Sequence, residues 1–102
     1  MEVRTSHHVD ASERDQNGAY DYYYEYDLFQ FADSTSCLLA RSYVYEPNEA
    51  HFLRTEIDNR PRLLTEEDLG TALFFAAVAH LRGLGKSQIN WLSGRGDGYE
   101  AL

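Results

Sequence analysis

The sequence predicts an α+β fold: a three- or four-stranded antiparallel sheet, arranged as a meander, with one main helix packed on one face. Three observations lead there. Three runs alternate with a period of two and are joined by short turns; one later stretch repeats with the period of a helix; and 102 residues make a single domain by size.

Residues 1–18 are polar, lack a pattern and end in Asp15-Gln16-Asn17-Gly18, which reads as a flexible N-terminal tail. The single domain is expected over residues 19–93, and residues 94–102, rich in glycine, as a flexible C-terminal tail.

The first strand is expected in Ala19–Asp33, which holds five tyrosines, two phenylalanines and four acids and no basic residue. Tyr20, Tyr22, Tyr24, Tyr26 and Leu28 share one face of it; Asp21, Tyr23, Glu25 and Asp27 share the other. Phe29 and Phe31 then become the apolar positions, a change of phase that a bulge near Asp27–Phe29 would produce. Residues 37–45, CLLARSYVY, and 50–58, AHFLRTEID, supply the next two strands, with Pro47 breaking the chain between them. Connections this short join antiparallel neighbours.

The helix is expected from Thr65, with Asp68 three residues on forming a capping box and Leu64 and Leu69 placed as a hydrophobic staple. Leu69, Leu73, Ala77, His80 and Leu84 form its main stripe, widened by Phe74, Val78 and Leu81. Gly83 or Gly85 stops it. Ile89 and Trp91 alternate, so residues 87–92 read as a short last strand or a second short helix.

Charge narrows the function classes. The net charge is −8, and residues 1–68 carry 15 acids against 6 arginines. Phosphate backbones and anionic lipid surfaces repel such a surface, so direct nucleic-acid and membrane binding are disfavoured, while a basic protein partner is attracted. A single cysteine, Cys37, excludes an intrachain disulfide. No apolar leader and no run of about 20 apolar residues is present, so a cytoplasmic protein is expected.

No motif points to an active site. Gly83-Leu84-Gly85-Lys86-Ser87 ends like a phosphate-binding loop, yet His80 stands where its first glycine belongs and the stretch closes a helix instead of opening one. Arg95-Gly96-Asp97, the tripeptide integrins read, is a chance occurrence in a glycine-rich segment. The four histidines show no metal-ligand spacing, and Cys37 opens an apolar strand, so neither a metal, a cofactor nor a catalytic residue is expected.

The compositional departure is the tyrosine–acid strand. Tyrosine offers a large contact area at small entropic cost, and carboxylates pair with Arg and Lys of a partner. Asp21, Tyr23, Glu25 and Asp27, with Tyr43 and Tyr45 of the next strand, are the candidate partner-binding residues. The expectation is a non-enzymatic module that occludes a basic surface, the same physical type as small acidic inhibitors such as immunity proteins. The alternatives are a small enzyme or ligand-binding domain with a pocket lined by tyrosines, His51 and His80, and a homodimer formed through the uncovered sheet face.

Overall fold

The computed structural model describes residues 1–93 and 98–102. Arg95-Gly96-Asp97 and the start of the expected C-terminal tail lie outside the described residues. The fold is α+β with a single α-helix, but the sheet is larger than expected and mixed, with seven strands.

The strands are β1 (Glu2–Ala11), β2 (Tyr23–Ala32), β3 (Ser36–Tyr43), β4 (Glu49–Ile57), β5 (Arg60–Arg62), β6 (Gln88–Leu92) and β7 (Tyr99–Ala101). The sheet order is β1-β2-β3-β4-β6-β7, and β5 pairs with the end of β4. The expected meander is β2-β3-β4. Asp58 and Asn59, both with positive φ (51° and 64°), turn the chain from β4 into β5, a conformation these two residue types tolerate. Because β5 occupies Thr55–Ile57 of β4, β6 takes the other half, Glu49–Phe52, and runs parallel to it. The helix between β4 and β6 returns the chain to the right end of the sheet for that pairing.

The first 18 residues were expected as a tail, and the structure differs there. Glu2–Ala11 forms β1, paired along its whole length with Ala32–Tyr23. Val3, Thr5, Val9 and Ala11 alternate with Glu2, Arg4, Ser6, His8 and Asp10, a period-two signal hidden by low hydrophobicity. Beyond β1 the hairpin continues through an isolated pair, Arg14 with Tyr20. The C-terminal segment differs too, since Tyr99–Ala101 pairs with β6. Residues 88–92 settle as strand.

The bulge expected near Asp27–Phe29 is absent: β2 keeps its register with β1 and β3 throughout, and the one slip lies between Leu39 and Ala40 in the β3–β4 pair. What changes along β2 is the cover. Phe29 and Phe31 are buried under the helix, whereas Tyr23, on the same face but ahead of it, is exposed. The apolar phase therefore starts where the helix starts, with no inserted residue.

The helical stretch divides. A 3-10 turn, Glu66–Gly70, opens as expected with the Thr65 N–H donating to the Asp68 carboxylate (2.7 Å). Asp68 also takes a bidentate pair from Arg62 (2.7 and 2.8 Å), the strong geometry for this ion pair. The helix proper, α1 (Ala72–Gly83), starts again at Thr71, whose hydroxyl accepts from the Phe74 N–H (3.2 Å). It ends with Gly85 at φ +90°, where Gly85 N–H bonds Arg82 C=O (3.0 Å) and Lys86 N–H bonds Leu81 C=O (3.0 Å). That is the Schellman pattern, so the glycine-lysine stretch is a helix stop.

Leu73, Phe74, Ala77 and Leu81 form the buried stripe of α1, while Leu84 is exposed. They meet Phe29, Phe31, Leu38, Ala40, Ala50, Phe52, Ile89 and Trp91 of the sheet, with Leu64. Phe52 lies 4.7 Å from Phe74 between ring centres, and the buried alanines at 40, 50 and 77 let helix and sheet approach. Two hydroxyls in this layer are satisfied: Ser42 donates to Glu49 C=O (2.6 Å) and Thr55 to Cys37 C=O (3.1 Å). No helix among the described residues is long and apolar enough to cross a membrane.

Candidate functional site

One helix covers one face of the sheet. The strand alternation decides what the other face shows. Since Phe29 and Phe31 point to α1, Tyr24, Tyr26, Leu28 and Gln30 point away. In register beside them stand His8 and Asp10 of β1, and Tyr43 and Arg41 of β3. The row of tyrosines is thus on the uncovered side.

Their rings form a connected surface. Tyr26 stacks on His8 (5.5 Å) and meets Tyr43 edge-on (5.9 Å); Tyr24 lies 6.0 Å from Tyr43 and 6.1 Å from Tyr22. Tyr45, two residues past Tyr43, stacks on it at 5.3 Å. Such contacts add to simple area burial. At the centre the Arg41 guanidinium lies over Tyr43 (4.8 Å) and Tyr26 (5.8 Å). One of its terminal nitrogens donates to the Tyr99 hydroxyl (3.2 Å), and its buried Nε has no hydrogen-bond partner among the described residues. Tyr99 in turn packs on His51 (4.9 Å). Arg41 therefore ties the tyrosines of β2 and β3 to β7 across β4 and β6.

An acidic rim adjoins this surface at the β3–β4 turn. Glu46 and Glu49 hydrogen-bond through their carboxyls, which raises the Glu46 pKa above the ordinary value. His51 Nε2 lies 3.8 Å from Glu49. Burial lowers the His51 pKa, and nearby Arg41 lowers it further. Burial likewise raises the Tyr43 and Tyr45 hydroxyls, so both stay neutral donors at physiological pH. Ligand atoms of Glu46, Glu49 and His51 all lie within 4.8 Å of one another, making this trio the set among the described residues that could gather round a divalent ion.

The sequence-derived candidates divide between the two faces. Tyr43 and Tyr45 belong to the tyrosine surface. Tyr23, Glu25 and Asp27 lie on the helix side of the sheet, ahead of α1. There His7 of β1 bridges Asp27 and Glu25, at 2.7 Å each, and the Tyr23 hydroxyl donates to Glu25 (3.0 Å). The two carboxylates raise the His7 pKa. Asp21 is exposed in the bend before β2, its N–H bonded to the Ser12 hydroxyl (2.7 Å). The structure brings Tyr23, Glu25 and Asp27 together but separates them from Tyr43 and Tyr45 by the thickness of the sheet.

The same separation dismantles the proposed Tyr/His pocket. His80 packs against Phe31 on the covered face (5.6 Å), while His51 meets Tyr99 on the uncovered one. Residues that sequence reasoning passed over are His8, Arg41 and Tyr99. Arg41 was legible as the one cation in a strand otherwise apolar or hydroxylated; His8 and Tyr99 lay in stretches read as tails.

Comparison with protein families, with curated proteins and with solved structures yields no match to this chain.

Proposed function

We propose that this chain is a non-enzymatic protein-binding module that docks on a basic protein through the uncovered sheet face and acts by occluding that surface. The observation that supports it is the connected ring surface of Tyr22, Tyr24, Tyr26, Tyr43 and Tyr45 on the side that α1 leaves bare. Tyr22, Tyr24 and Tyr45 are 47%, 44% and 54% exposed, high for aromatic side chains with no covering element. Rigid amphipathic rings of this kind anchor protein interfaces. Asp10 beside Tyr24, and Glu46 with Glu49 beside Tyr45, supply the negative charge that selects Lys and Arg on the partner. Relative to the sequence reading, the docking residues move from Asp21, Tyr23, Glu25 and Asp27 to Tyr24, Tyr26 and their neighbours; Tyr43 and Tyr45 stay.

The test is affinity capture from host lysate with the native chain and with a Tyr24→Ser/Tyr45→Ser variant, each at low and high salt. The expected result is a stoichiometric basic protein retained by the native chain, shed by salt, and lost by the variant while its circular dichroism is unchanged. Equal retention by both chains would remove the tyrosine face as the docking site.

A further inference from the structure

The two sides of the sheet end very differently. At one side the outermost strands are three residues long each, β7 and the Pro61-bearing β5. Short strands and proline are the usual ways to blunt an edge against pairing. At the other side stands β1, ten residues long, with no proline, no lysine and an unbroken register on β2. No described residue pairs with its outer edge.

The backbone of that edge can be assigned. The Asp33 N–H bonds Ser36 C=O and the Val44 N–H bonds Glu25 C=O, both at 3.0 Å. Odd-numbered residues of β2 therefore serve β3, and even-numbered ones serve β1. By the register Glu2 with Ala32 through Ala11 with Tyr23, even residues of β1 bond β2. Val3, Thr5, His7, Val9 and Ala11 then turn their N–H and C=O groups outward, a row of obligatory hydrogen-bonding groups with no strand partner among the described residues.

We propose that this edge pairs antiparallel with β1 of a second copy of the chain, joining two sheets into one. Charge complementarity selects the register. With His7 opposite His7 of the second copy, Arg4 stands opposite Asp10 twice over, Thr5 opposite Val9 and Val3 opposite Ala11. All odd positions of the edge are then satisfied, and the β-branched Val9, 54% exposed in the single chain, gains Thr5 as a cross-strand neighbour. A shift of the axis to Ser6 would oppose Glu2 to Asp10, acid against acid, and leave Arg4 opposite His8 with no carboxylate. Arg4 bonds Glu2 in the single chain (2.9 Å), an exposed pair that is readily exchanged. His7 meets its counterpart on the axis already bracketed by its own Asp27 and Glu25. The dimer leaves both tyrosine faces open on the same extended sheet, so it is independent of the docking reading.

The experiment is the solution mass of the full chain across a concentration series, by light scattering after gel filtration. The expected mass is twice the 11.7 kDa of the chain. Val9→Pro removes an N–H that the single chain does not use, so it should give a folded monomer. Arg4→Glu and Asp10→Arg should each weaken the dimer about tenfold, and the two together should restore it. If Val9→Pro disturbs folding, the charge exchange decides by itself. A chain that stays monomeric at millimolar concentration overturns the proposal. So does a dimer indifferent to the charge exchange, including one lost on Tyr24→Ser, which would put the contact on the tyrosine face.

Discussion

The same strands present two faces built on opposite terms. Toward α1 they show Phe29, Phe31, Leu38, Ala40 and Phe52, every one almost or wholly inaccessible. Away from it they show Tyr24, Tyr26, Tyr43, Arg41 and His51, which carry hydroxyl, guanidinium and imidazole groups, with the Tyr24 ring exposed. Both faces are aromatic. The difference is whether the ring carries a group that water will still solvate, and it separates a face that holds the fold together from one available for contact.

That contrast can be broken most forcefully at Phe52, which touches both Phe31 and Phe74. Phe52→Ala should cost about 3–5 kcal/mol in chemical denaturation, a large part of the stability of a domain this size. Tyr24→Ala, on the other face, should cost no more than about 1 kcal/mol. Equal losses would mean that the tyrosine face is a second core.

A middle-sized effect is expected where the two layers are joined. Asp68 holds Thr65 and Arg62 together, and the Arg62 hydrogen bonds, with lesser help from Thr65, hold its carboxyl below the usual range. Asp68→Ala should cost about 1–2 kcal/mol at neutral pH. A depressed carboxyl stabilises the fold above its unfolded pKa and loses that contribution as pH falls through its folded value. The penalty of Asp68→Ala should therefore shrink below about pH 4. A penalty constant down to pH 2 would sever this link.

The smallest and sharpest comparison sets one histidine of each face side by side. His7, hydrogen-bonded by Asp27 and Glu25, should titrate above the ordinary value of about 6.5, and His51, desolvated beside Arg41, below it. By linkage His7 stabilises the fold below its unfolded pKa, and that contribution fades as pH rises through the raised value. His51 works the other way, disfavouring the fold as pH falls through 6.5. Proton NMR of the ring signals across pH 5–8 would show the order; a reversed order would mean that the two environments are misassigned.

Much of the fold was legible in the residues. Alternation marked three strands, Pro47 their turn, Thr65 and Asp68 the start of the helical stretch, and the Gly85 region its stop. Such signals are local, resting on a residue's own backbone preference or on neighbours a few positions away. The edge strand β1 escaped because few of its side chains are buried, so nothing in its hydrophobicity called for a sheet. The candidate site was half legible: tyrosine content pointed to β2 and β3, but the chosen residues were largely those of the other face.

Sequence alone thus determined the kind of object this is: an acidic α+β chain of strands and a helix, with an aromatic strand too polar to be only core. Tertiary structure decided three further things: that β6 lies parallel on β4, that β1 extends the sheet to an open edge, and that the tyrosines look away from α1. The reason is physical. Period-two alternation says which residues share a face, but which face is covered depends on where a helix forty residues further along comes to rest, and on phenylalanines outcompeting tyrosines for the place beneath it.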